Sequence, residues 1–144
     1  MGRSVFERYT EAGRRLIYNA VNEAKRCGST VIETEHFLLA LLTEDNSLLR
    51  RLLPADAPPI IENELCDMLP SRPPSQQKDF PLSHDMKRVL ADGAEAAERL
   101  SAPYIDSAHF LLGLLREENC PASRVLYKHG ITTERVLREI VDTG

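Results

Sequence analysis

Two eleven-residue runs, IETEHFLLALL at 32–42 and IDSAHFLLGLL at 105–115, repeat one pattern within a single chain of 144 residues. Shifting the chain by 73 positions aligns Thr10–Leu53 with Ser83–Leu126 without a gap, and 14 of those 44 positions are identical. The matches include Arg15/Arg88, Ala24/Ala97, Arg26/Arg99, Ile32/Ile105 and His36/His109. Phe37-Leu38-Leu39, Leu41-Leu42, Glu44, Asn46, Arg51 and Leu53 recur as well. Polar and apolar positions both repeat, so shared helical composition does not account for the similarity; the chain carries a duplicated module. Neither copy is large enough to bury much core alone, which predicts that the two pack together as one pseudo-symmetric unit.

Prolines mark the joint. Seven of the nine lie from Pro54 to Pro81, and PSRPPSQQKDFP at 70–81 is a polar, proline-rich linker that cannot be helical. Repeat one is therefore expected over about 6–69 and repeat two over about 82–142, in a single domain spanning 1–144. Within repeat one, Ala12, Leu16, Ala20, Ala24 and Cys27 recur at helical spacing, widened by Ile17 and Val21. Thr10 is placed as its N-cap and Gly28 as its C′ stop. Repeat two has Ser83 at the cap, with Val89, Leu90, Ala94, Ala97 and Leu100 on the buried face. The HFLL helix is apolar nearly all round, which predicts a central helix covered by its neighbours, with Thr34 and Ser107 as N-caps. Short helices are expected around Ser47–Leu53 and Pro121–Tyr127. A fourth helix closes each copy at 60–69 and 133–141, the latter opened by Thr132 or Thr133. No segment alternates as a strand. The expected fold is all-α, eight helices in two four-helix repeats.

Composition removes several functions. Each half carries 9 Lys/Arg against 11 Asp/Glu, so the net charge of −4 divides evenly and leaves no basic patch for nucleic acid. The longest apolar run falls well short of the ~20 residues that span a bilayer, and the first ten residues lack the apolar core of a secretory signal. A myristoylation signal would need Ser or Thr where Phe6 stands. Cys27, Cys66 and Cys120 are odd in number and widely spaced, which reads as reduced thiols in a cytoplasmic protein. Phosphate loops, dinucleotide fingerprints, HExxH and GxSxG are all missing, so neither a cofactor nor a nucleophile elbow is expected. None of His36, His84, His109 and His129 has a second ligand three or four residues away, and no metal site is expected.

The chemically interesting residue is Glu35. As a first-turn acid it complements the helix dipole; as a carboxylate at a groove it would pair with a cationic ligand group. Its counterpart in repeat two is Ala108. His36 and His109 read as structural residues packed at the start of the central helices. A small helical enzyme built around Glu35, His36 and His109 is the competing reading, and it requires the three to converge. Glu33 and Asp106 read as exposed loop acids. Arg14-Arg15 and Arg50-Arg51 point about 100° apart on a helix and form a solvated face.

The run FERYTEAGRRLIYNAVNEAKRCGSTVIETEHFLLALL resembles the first repeat of the N-terminal domain of Clp ATPases, the Hsp100 unfoldases, especially the ClpC/ClpA type. PLSHDMKRVL and DSAHFLLGLL resemble the second repeat more loosely, and the similarity covers roughly residues 6–142. The resemblance implies a non-catalytic domain that recruits adaptor proteins and substrates to a hexameric AAA+ unfoldase feeding a Clp protease. In the ClpC branch it also implies recognition of arginine-phosphorylated proteins, the TEH glutamate meeting the guanidinium and the threonine of the FTERA segment the phosphate. Carried over, that site is Arg8, Thr10 and Glu35, with a degenerate second site at Ser83 and Ala108. Glycine is expected before the TEH threonine; Glu33 and Asp106 stand there, and a carboxylate repels phosphate. No AAA+ module follows Gly144 in this sequence, which leaves two expected forms: an excised recruitment domain, or a stand-alone adaptor or competitor of the unfoldase.

Overall fold

Thr10 opens the first helix as its hydroxyl predicts. In the computed structural model, which describes residues 8–43 and 48–143, Thr10 Oγ1 accepts from the Gly13 N–H at 3.0 Å and α1 runs Glu11–Arg26. Ser83 repeats the device for α5, His84–Arg99, accepting from the Met86 N–H at 3.1 Å. Gly28 follows α1 at φ 71°, a left-handed conformation that glycine takes without strain. The remaining helices are α2 Thr34–Thr43, α3 Leu48–Leu52, α4 Ala57–Met68, α6 Ser107–Arg116, α7 Pro121–Lys128 and α8 Thr133–Thr143. The expected start of repeat one at Phe6, Ser47 of the third helix, the matched Glu44 and Asn46, and Gly144 lie outside the described residues.

Three boundaries differ from expectation. α4 starts at Ala57 rather than residue 60, because Pro58 and Pro59 fall in its first turn, where a missing N–H breaks no helical bond. α8, by contrast, is opened by Thr132, one of the two residues expected, whose Oγ1 accepts from the Arg135 N–H at 3.2 Å and whose carbonyl accepts from the Val136 N–H at 3.1 Å. Thr34 and Ser107 are the first helical residues of α2 and α6, not their caps. The caps are Glu33 and Asp106, whose carbonyls accept from the Phe37 and Phe110 N–H groups at 3.2 and 3.3 Å. Both acids are half-buried rather than exposed loop acids.

The repeats are tied reciprocally. Thr10 N–H donates to the Ile105 carbonyl at 3.0 Å, and Ile105 N–H donates to the Arg8 carbonyl at 2.8 Å. Ile32 N–H donates to the Pro81 carbonyl at 2.9 Å, and Ser83 N–H to the Ile32 carbonyl at 3.0 Å. The same 73-residue shift converts the isolated parallel bridge Tyr9–Ile105 into the bridge Ile32–Leu82, seen from the other copy. Each repeat thus lends its leading segment to the other.

The centre of the molecule is where the HFLL motifs meet. Phe37 and Phe110 are fully buried with ring centroids 5.6 Å apart at 87°, and Tyr9 meets Phe110 edge-on at 5.1 Å. α2 is covered by α1, α3, α4, α5 and α7, and α6 by α1, α3, α5, α7 and α8, which explains their nearly uniform apolarity. The linker is non-helical as its prolines require, but it does not hang free. Ser75 N–H donates to the Lys25 carbonyl at 2.8 Å, and Gln77 Nε2 to the Thr30 carbonyl at 2.8 Å. A Cβ at Gly28 would come within 2.3 Å of the Pro73 carbonyl oxygen, so the linker lies directly on the end of α1.

Candidate functional site

Glu35 stands in the first turn of α2, half-buried, and accepts from Thr34 Oγ1 at 2.9 Å. Burial pushes its carboxyl above the usual range, hydrogen bonds from the helix start and Thr34 pull the other way, and Glu33 and Asp85 push it up further. Among the described residues no Lys or Arg pairs with it. It lines a cleft of about 230 Å³ together with Glu33, His36, Met68, Leu69, Pro70 and Arg72. A desolvated carboxylate and a guanidinium that line one cleft can take a ligand that is cationic at one end and anionic at the other.

The grouping expected from the sequence, Arg8 and Thr10 with Glu35, is divided by the exchange of leading segments. Thr10 stands beside the start of α6 in the other repeat, where its Oγ1 donates to Asp106 Oδ1 at 2.6 Å. That hydroxyl is therefore committed to a carboxylate, with Ala108 one turn on. Arg8 lies with it, exposed, at the Ile105 pairing. Ser83, from the expected degenerate site, is bonded at Ile32, and its helix carries the Asp85 that acts on Glu35. The hydroxyl of each repeat faces the central helix of the other.

The histidines have separate tasks. His36 Nδ1 accepts from the Glu33 N–H at 2.9 Å, and His109 Nδ1 accepts from the Asp106 N–H at 2.8 Å. Each ring supplies the side-chain acceptor that Glu or Gln supplies in a capping box. Burial depresses His36 to about 4, with Arg26 adding to the effect, and depresses His109 despite the Asp106 charge. Both rings are neutral at neutral pH and bound within their own helix starts, an arrangement that does not converge them with Glu35 on one reacting atom. Among the described residues no group of three or more His, Cys, Asp or Glu is placed to hold a metal ion.

Two features were invisible in the sequence. Arg72 sits in the linker, where no periodicity singles it out, and the linker lying on the end of α1 puts it in the lining of the Glu35 cleft. A larger cleft of about 430 Å³ opens in repeat two between α5, α6 and α8. Leu100, Leu112, Leu115 and Leu137 give it an apolar lining, with Arg99 and Arg116 among its charged residues. Asp92, at the same cleft, is pushed up to about 6 by burial and the neighbouring Glu117 carboxylate, against the pull of Arg116. The apolar signal was present as the buried face of α5, but periodicity does not tell a covered leucine from one left open.

The sequence profile of the Clp repeat (R) N-terminal domain matches residues 8–129. The chain is 32% identical over 145 aligned residues to the chaperone protein ClpC2, chloroplastic, of Oryza sativa subsp. japonica, covering 96% of this chain and 15% of that protein. It is 31% identical over 145 residues to the chaperone protein ClpC1, chloroplastic, of Arabidopsis thaliana, with the same coverage. The chain thus spans about 15% of the length of these relatives. The solved N-terminal domain of ClpD from Arabidopsis thaliana superposes with a TM-score of 0.75 at 27% identity, covering 94% of this chain and 99% of that one. No described helix is long and apolar enough to cross a membrane.

Proposed function

This chain belongs to the Clp repeat N-terminal domain family, and from that premise we propose that it is a non-catalytic protein-binding module recruiting adaptors or substrates to a Clp AAA+ unfoldase. The observation that carries the reading to a ligand is Glu35, half-buried, driven toward its neutral form by burial, and lining a cleft while paired with no Lys or Arg among the described residues. Holding a carboxylate in that state costs folding free energy, and a guanidinium arriving from a ligand would relieve it. Arg72, which lines the same cleft, supplies the donors a phosphate needs. The pair suits phosphoarginine: guanidinium on Glu35, phosphate on Arg72. This shifts the phosphate partner from Thr10, whose hydroxyl already meets the Asp106 carboxylate, to the linker. The repeat-two position has Ala108 in place of a carboxylate and offers no equivalent site. The apolar cleft between α5, α6 and α8 serves the broader role, accepting aliphatic side chains of an adaptor or unfolded segment while its charged residues orient the chain.

Calorimetric titration of the intact chain with free phosphoarginine tests the site. Binding should weaken in Glu35→Ala and in Arg72→Ala, and arginine or inorganic phosphate alone should bind more weakly than the conjugate. Equal phosphoarginine affinity in wild type and Glu35→Ala would remove Glu35 from the site.

A further inference from the structure

Two thiols line one cleft beside the linker segment that carries Arg72. Cys27 is the half-buried C-cap residue of α1, and Cys66 is exposed in the last turn of α4. Both line a cleft of about 230 Å³ together with Arg26, Leu69, Pro70 and Arg72. Four of its lining residues, Cys27, Leu69, Pro70 and Arg72, also line the Glu35 cleft. The two clefts therefore share part of their lining, with Cys27 in both and Cys66 in the second. The third cysteine, Cys120, is buried at the start of α7 and takes no part.

We propose that Cys27 and Cys66 form a peroxide-oxidisable dithiol, whose disulfide pins the Met68–Arg72 wall to the end of α1 and narrows the Glu35 cleft. Cys66 is the attacking thiol because it is the exposed one of the two and so the one peroxide reaches. Cys27 is the resolving thiol, its ionisation opposed by burial. The Cys66 thiolate attacks one oxygen of hydrogen peroxide; the O–O bond breaks, the departing hydroxide takes up a proton as water, and Cys66 becomes a sulfenic acid. The Cys27 sulfur then attacks the Cys66 sulfur; the S–S bond forms, the S–O bond breaks, and a second water leaves. Two thiols and one peroxide give one disulfide and two waters. Pro70, Pro73 and Pro74 restrict the wall to a narrow φ range, so fixing its base fixes Arg72 as well. The gating consequence rests on the reading of the Glu35 cleft as a ligand site; the disulfide does not.

The experiment treats the full chain with one equivalent of hydrogen peroxide and reads the intact mass, the peptide map and ligand binding. The expected result is loss of two hydrogens, a Cys27–Cys66 cross-linked peptide and full reversal by dithiothreitol. Cys27→Ser and Cys66→Ser should each abolish the cross-link, and Cys120→Ser should retain it. Sulfinic acid at Cys66 with Cys27 still open to alkylation, or a Cys66-linked dimer, would overturn the pair. In the oxidised protein, modification of Arg72 by phenylglyoxal should slow and phosphoarginine should bind several-fold more weakly. A cross-link that leaves the Arg72 rate unchanged overturns the gating. Absent phosphoarginine binding in the reduced protein rejects the ligand reading instead, while mass and the Arg72 rate still judge the disulfide and the wall.

Discussion

The ring of His36 does for α2 what a glutamate does in most capping boxes, and it does so without a charge. Its Nδ1 must stay unprotonated to accept from Glu33, and its Nε2 is buried with no hydrogen-bond partner among the described residues. The folded form therefore holds His36 near 4, whereas the unfolded chain titrates at the ordinary 6.5. Because the folded value is the lower one, the unfolded chain binds the extra proton. Stability is complete above 6.5 and falls as pH drops through the window toward 4. At pH 5 the loss from this residue is about 2 kcal/mol. His36→Gln keeps an acceptor for the Glu33 N–H but cannot titrate. Urea unfolding of the two proteins from pH 7.5 to 5 should show the variant gaining relative to wild type by that amount; parallel profiles would remove His36 as the titrating group.

At the level of helices, the repeats share a plan and differ in how closely they close. Where α1 and α2 carry Ala20 and Ala40, α5 and α6 carry Gly93 and Gly113. A Cβ on Gly113 would stand 2.4 Å from the Val89 carbonyl oxygen and 2.9 Å from the Gly93 nitrogen, so these two helices cross backbone to backbone. Gly113→Ala, favourable in an isolated helix, should destabilise the protein by about 1–3 kcal/mol because the helices must separate. A lowered denaturant midpoint with an unchanged m-value is the expected result, and an unchanged midpoint would show that the crossing relaxes freely. The periods and the Thr10 and Ser83 caps of the longer helices were legible in the sequence, since both depend on residues within four positions of each other. The α2 and α6 caps were misassigned to Thr34 and Ser107 because a histidine at the third helical position is an uncommon capping partner.

Across the whole molecule, the exchanged leading segments make each repeat a part of the other. Tyr9 and Phe37 lie in repeat one and Phe110 in repeat two, and all three pack together at the centre. Phe110→Ala should cost about 3–5 kcal/mol. The loss should fall on both repeats, with α2 and α6 losing hydrogen-exchange protection together and unfolding keeping one transition. Two separated transitions would show the repeats to be independent units.

The duplication, the eight helices and the acid at position 35 followed from the sequence alone, because shift-and-match identity, helical period and local capping need only neighbouring residues. Which hydroxyl faces which central helix did not follow. A repeat shift makes Thr10 equivalent to Ser83, but it is silent on whether each serves its own copy or the other. The tertiary structure decided that by crossing the leading segments, and it decided in the same way which residues share a cleft. Arg72 joins the lining of the Glu35 cleft because a proline-rich linker without any periodicity is laid back across the end of α1.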